Sequence, residues 1–162
     1  MPKEQISIVL DKNKIYSSYY ARACKILPNR RLVAISLGIP EGFNGEIMRE
    51  LNPSPNLLSK YKNNSITEKE YTEIYYAETL SKLDAKQIYN RLAGKCILCY
   101  CGKDKFCHRK LVIDWLVNEL NIDIYGGEIW NRHQYCCWCL FLCYGYKWKG
   151  NKRLGRQWWI EY

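Results

Sequence analysis

The chain lacks most of the features that would settle its class at once. No apolar run approaches the roughly 20 residues that a membrane-spanning helix needs. The longest, residues 135–146, falls well short. Lys3 and Glu4 lie at the N-terminus, and the apolar stretch 6–10 is short and broken by Ser7, so no secretory leader is read there. A cytoplasmic protein with no membrane partner is the expectation. There is no Gly-rich loop of the nucleotide-triphosphatase type, no Ser-His-Asp order and no zinc-protease helix. The commonest phosphate, acyl-transfer and metal-hydrolysis signatures are therefore missing, and no motif names a cofactor. No internal repeat occurs, which removes solenoid architectures. Acidic residues are scarce: 16 against 25 basic ones, a net charge of +9. That excess favours polyanions such as nucleic acid or nucleotides.

What is present suits one globular domain. The 162 residues are 48% hydrophobic and 25% charged, enough for a real core and unlike a disordered chain. The nine cysteines are an odd number. Without a leader they read as thiols or metal ligands rather than as a disulfide framework.

Alternating Ile6, Ile8 and Leu10 suggest a first strand over residues 5–10. The Tyr-rich stretch 15–27 follows a polar turn and ends at Pro28. Residues 31–36 contain the continuous apolar run Leu32-Val33-Ala34-Ile35, as in a strand covered on both faces. A Gly/Pro loop, a short helical turn over 45–51 and a break at 52–55 come next. Thr67 and Glu70 form a capping box at the head of a helix through Leu83, and Asp84 with Gln87 opens another that Gly94 stops. Residues 96–100 read as a buried strand and 102–106 as a loop. Cys107-His108-Arg109 opens a helix to about Leu120, and 122–125 is the last strand. The alternation of strands and helices predicts an α/β fold, a small domain of two or three layers with a mainly parallel sheet. Ligands of such sheets sit outside the carboxyl ends of the strands, where the loop 101–109 lies.

Residues 131–162 have no clean period. They carry four cysteines, four tryptophans and six basic residues against one acidic. A boundary near Trp130 therefore separates a domain over 1–130 from a basic, Cys/Trp-rich and irregular tail. Trp148, Lys149, Lys152, Arg153, Arg156, Trp158 and Trp159 can stack bases and neutralise phosphates, so a nucleic-acid-binding tail is one reading. A solvated, poorly ordered tail is the other.

The densest chemistry lies at Cys107-His108-Arg109. A helix start leaves backbone N–H groups unpaired and carries partial positive charge, a ready seat for an anion. Arg109 can donate two parallel bonds to phosphate or carboxylate, or else pair with Asp104 or Asp114. His108 can donate or titrate. Lys103 and Lys105 raise the potential. Three cationic or titratable residues in one first turn cost roughly 0.3–1 kcal/mol each unless an anion is present. The leading expectation is therefore a site for a phosphate-containing small molecule or nucleic acid. The same surroundings favour a Cys107 thiolate, which makes a cysteine-dependent hydrolase or transferase the alternative. A small buried residue that packs the loop is the plain reading of Cys107. The spacing of Cys99, Cys101, Cys107 and His108 is not that of a paired zinc knuckle, and no metal is assigned.

In order along the chain, Tyr16-Ser17-Ser18-Tyr19-Tyr20-Ala21, Leu32-Val33-Ala34-Ile35-Ser36 with Pro40 and Phe43-Asn44-Gly45, Leu57-Leu58 with Tyr61-Lys62, Ile66 through Tyr71, and Cys99-Tyr100 followed by Phe106-Cys107-His108-Arg109 and Trp115 resemble the bacterial family called domain of unknown function 488. The resemblance spans about residues 5–130. It implies a compact α/β fold, an uncharacterised activity, and a central site at Cys107, His108 and Arg109 with Ser17, Tyr19 and Ser36 nearby. Many relatives carry an acidic residue where this chain has Cys101. The tail resembles nothing in that family and is read as a natural extension or a shifted reading frame.

Overall fold

The computed structural model describes residues 8–102 and 105–129. Five strands, β1 (Ile15–Tyr19), β2 (Leu32–Ala34), β3 (Glu46–Ile47), β4 (Cys96–Cys99) and β5 (Tyr125–Glu128), form one sheet in the order β3-β2-β4-β1-β5. Every pairing is parallel. The helices are α1 (Tyr20–Ile26), α2 (Pro55–Lys62), α3 (Glu68–Glu78), α4 (Ala85–Leu92) and α5 (His108–Leu120). The domain is α/β, as expected.

Residues alternate between the two faces of the sheet, and each face has its own core. Ile15, Val33, Ile35 and Ile97 pack with Leu57, Tyr71, Tyr75, Ile88, Leu92, Val112 and Leu116, which places α2 to α5 on one side. Tyr16, Leu32, Ala34, Cys96 and Leu98 pack with Tyr20, Ala23 and Leu27, so α1 covers the other. The result is three layers.

Several helix ends formed as their sequences dictate. Thr67 Oγ1 accepts from the Glu70 backbone while the Glu70 carboxylate accepts from the Thr67 backbone, a complete capping box for α3. Asp84 accepts from the Gln87 backbone at 2.8 Å and starts α4. Gly94 follows α4 at φ +75°, a left-handed conformation that favours glycine.

Other elements differ from the sequence reading, each for a physical reason. Of the expected strand over 5–10, residues 5–7 lie outside the described residues and 8–10 are not a strand; the first strand among the described residues is β1. Its two serines hid it, because polar residues look out of place in a central buried strand. Both are fully buried and bonded: Ser18 Oγ donates to the Ile129 carbonyl at 2.8 Å, and Ser17 Oγ meets the Tyr125 hydroxyl at 3.2 Å. The last strand among the described residues is Tyr125–Glu128 rather than 122–125. Gly126 is part of it because a Cβ there would lie 2.3 Å from the Tyr16 ring. Within 45–51 the expected single helical turn is the short β3 followed by a 3-10 turn at Arg49–Leu51. The break at 52–55 also starts α2, with Ser54 as N-cap and Pro55 in the first turn. The tail and the boundary near Trp130 lie outside the described residues.

Candidate active site

The strand order decides where a ligand can sit. After β2 the chain moves outward to the sheet edge at β3, whereas after β4 it moves the other way through α5 to β5. Connections that leave adjacent parallel strands in opposite directions open a crevice at their carboxyl ends. A cleft of about 250 Å³ lies there. Ser36, Leu37 and Gly38 follow β2 along one side; Cys99, Tyr100 and Cys101 leave β4 on the other. Phe106, Cys107 and His108 at the head of α5, with Tyr61 and Lys62 of α2 and Tyr71 of α3, complete it.

The three expected central residues converge, and all are buried: Cys107 is 3% exposed, His108 5% and Arg109 1%. Cys107 is the N-cap of α5, and its side chain makes no capping bond. Arg109 Nε donates to Cys107 Sγ at 3.3 Å. One terminal guanidinium nitrogen donates to the Ser18 carbonyl and the other to the Cys101 carbonyl, the latter at 2.9 Å. The expected open clamp for an outside anion is thus turned inward, across the ends of β1 and β4. Asp114, a candidate partner from sequence, is exposed. His108 Nε2 lies 2.6 Å from the Ile35 carbonyl. A carbonyl can only accept, so that nitrogen carries the hydrogen, and Nδ1 faces Cys107 Sγ at 3.8 Å. The edge-on Tyr75 ring, 5.8 Å away between centroids, packs the imidazole, and the Tyr75 hydroxyl is spent on the Leu51 carbonyl.

Three sulfurs meet at the cleft floor. Those of Cys99, Cys101 and Cys107 all lie within 4.8 Å of one another, and Cys99 Sγ donates to Cys101 Sγ at 3.8 Å. Hydrogen bonds from Cys101 and Cys99, then the bond and charge of His108, hold the Cys107 thiol well below the ordinary range against the opposing effect of burial. The other two thiols move up, Cys99 first through its bond to Cys101 and Cys101 first through its bond to Cys107. Burial pulls the His108 pKa down, but its bonds to Cys107 and Cys99 outweigh that and raise it to about 10. Among the described residues, the Cys99, Cys101 and Cys107 sulfurs are close enough together to hold a metal ion, one ligand short of a structural zinc set, and His108, whose Nε2 is held by a carbonyl, turns Nδ1 toward the Cys107 sulfur.

The other expected site residues divide. Ser36 lines the cleft, and its hydroxyl meets the Tyr20 hydroxyl at 2.6 Å. Ser17 and Tyr19 lie on β1 and do not line the cleft. Lys105 is exposed and does not line it. Lys103 lies outside the described residues. Sequence reasoning missed Tyr61, Tyr71 and Phe106 as a joined wall, although their rings sit 5.2 to 5.4 Å apart. They come from three separate segments, and no local period links them.

No helix among the described residues is long and apolar enough to cross a membrane. No curated protein and no solved structure gives a significant match to the chain. A family model does: residues 22–120, more than half of the chain, match DUF488-N3a, described as the active DUF488-N3 subclade, and the chain belongs to that family.

Proposed function

We propose that this protein is a cysteine-dependent enzyme in which Cys107 attacks an electrophilic centre of a small substrate, in hydrolysis or group transfer. One observation carries the reading: Cys107 stands at the N-cap position of α5, its Sγ accepts a hydrogen bond from a buried guanidinium, and the residue lines an open cleft. A helix N-terminus, an imidazole and an arginine are the surroundings that turn a thiol into a nucleophile. Cys96 provides the contrast within the same strand layer. It is fully buried away from the cleft, and burial above all pushes its thiol far up.

The negative charge expected at the helix mouth is, in this reading, the Cys107 sulfur itself. His108 takes the thiol proton on Nδ1, while the Ile35 carbonyl keeps the ring in the required orientation. The thiolate attacks, and the leaving group departs with the Nδ1 proton. Water or an acceptor, deprotonated by the same nitrogen, then releases the product. The Tyr61, Tyr71 and Phe106 wall suits a planar group, and Lys62 at the rim suits an anionic one. A phosphate-containing small molecule such as a nucleotide combines both and agrees with the net charge of +9.

The test is labelling with iodoacetamide followed by peptide mapping. Cys107 is expected to react fastest of the nine cysteines, at a rate that changes little over neutral pH. The Cys107→Ala variant should lose that label and any turnover. A slow thiol with an apparent pKa near the free value of about 8.5 would end the proposal.

A further inference from the structure

The nucleophile reading leaves two thiols at the cleft floor without a use. The sulfurs of Cys99 and Cys101 both lie within 4.8 Å of that of Cys107. They differ in how firmly they are held. Cys99 closes β4, in register with Tyr19 of β1. Cys101 lies two residues past that strand, outside any helix or strand, and is half-buried. The guanidinium of Arg109 grips both ends of the Cys101–Cys107 pair, through the Cys101 carbonyl at 2.9 Å and the Cys107 sulfur at 3.3 Å.

Resting on the reading of Cys107 as a nucleophile, we propose that Cys101 is its resolving partner, and that the pair reduces a hydroperoxide and closes as a Cys101–Cys107 disulfide. The Cys107 thiolate attacks the terminal oxygen of the hydroperoxide. The O–O bond breaks, the alkoxide or hydroxide leaves with the proton of His108 Nδ1, and the sulfur is oxidised by two electrons to a sulfenic acid. The Cys101 sulfur then attacks the Cys107 sulfur. The S–O bond breaks, and water leaves with the Cys101 thiol proton. An external dithiol returns two electrons and two protons and is itself left as a disulfide.

Geometry favours Cys101 over Cys99 as the partner. An S–S bond is about 2.05 Å long, so sulfurs within 4.8 Å close by a side-chain rotation and a small shift of the backbone. A loop residue accommodates that shift, while a residue at the end of a paired strand would strain the ladder. The cleft admits a small hydroperoxide to the Cys107 sulfur, and the guanidinium lies beside the charge that develops there.

The experiment treats the reduced full chain with one equivalent of hydrogen peroxide, blocks remaining thiols and digests with trypsin without reductant. The expected product joins the peptide 96–103 to the peptide 106–109 with loss of two hydrogens, and dithiothreitol reverses it. In Cys101→Ser the link should vanish and a sulfenic acid at Cys107 should be trapped by dimedone. In Cys99→Ser the link should persist. Circular dichroism checks that both variants are folded. A link that survives Cys101→Ser, or one that depends on Cys99 alone, overturns the proposal. So does stoichiometric zinc in the purified chain with Cys107 unreactive. Alkylation of the untreated chain separates the two levels. Fast alkylation of Cys107 without disulfide formation overturns the resolving role only, and slow alkylation overturns the nucleophile as well.

Discussion

The mouths of α3 and α5 face the same physical problem and solve it in opposite ways. Each helix begins with unpaired amides and a partial positive charge. At α3 the local sequence answers: Thr67 and Glu70 exchange hydrogen bonds, and Glu68 and Glu70 bring negative charge to the first turn. At α5 no side chain caps, no acidic residue lies in the first turn, and His108, Arg109 and Lys110 add positive charge. What compensates is buried, and most of it comes from outside the helix. The Cys107 sulfur, its thiol held well below the ordinary range, accepts from the Arg109 guanidinium, and the carbonyls of Ser18, Ile35 and Cys101 accept from the cationic side chains. A helix start that looks badly designed in sequence is one whose partners come from elsewhere in the fold, and such places are where chemistry is found.

The sharpest way to break this contrast is Arg109→Met. It removes a buried cation from two carbonyls and the Cys107 sulfur, and the expected loss is about 3 kcal/mol or more in urea unfolding, since buried acceptors lose their donors and a buried network is broken. The thiol of Cys107 should also titrate higher. A loss below about 1 kcal/mol would mean that the guanidinium is not a strut of the sheet ends.

Next in size is His108→Gln. With the imidazolium gone, the Cys107 titration should rise by about one to two units, and alkylation at neutral pH should slow by about tenfold or more. The sign of the stability effect follows from His108 being raised from 6.5 to about 10. Its contribution is full below pH 6.5 and disappears as the pH climbs through about 10. The gap in stability between parent and variant should therefore narrow on the alkaline side. A gap that widens there would place the imidazole in its neutral form.

Thr67→Ala supplies the control. It should cost about 1 kcal/mol of stability through the lost cap and leave the alkylation rate of Cys107 unchanged. A change in that rate would show that the two mouths are coupled rather than separate. The smallest effect is expected of the exposed Lys110→Glu. An acid in the first turn should gain the helix no more than about 0.3–1 kcal/mol, while its charge pushes the Cys107 titration up. If the thiol titration does not move, the mouth of α5 does not sense charge at that position.

How far the fold was legible follows from where each signal lay. The capping box of α3, the Asp84 cap of α4, the run Leu32–Ala34, the strand Cys96–Cys99 and the start of α5 are local patterns, and they formed where local physics puts them. β1 was not legible, because its serines are acceptable in a core only when Ile129 and Tyr125 arrive from more than 100 residues away to bond them. β5 was misplaced because its glycines read as a stop, when Gly126 clears the Tyr16 ring and Gly127 takes a positive φ within the strand. At the site, Cys107, His108 and Arg109 stood out by adjacency, while the aromatic wall of Tyr61, Tyr71 and Phe106 had no period to announce it.

By itself the sequence determined an α/β chain and a cationic helix start with a cysteine at its head, since periodicity, caps and charge in one turn are properties of neighbours. Only the tertiary structure decided that the arginine would turn inward and that three sulfurs would gather beneath a cleft. Those outcomes depend on which strand ends lie side by side. A buried guanidinium takes the carbonyls it finds there, because leaving its donors unpaired away from water costs more than any bond made at the surface returns.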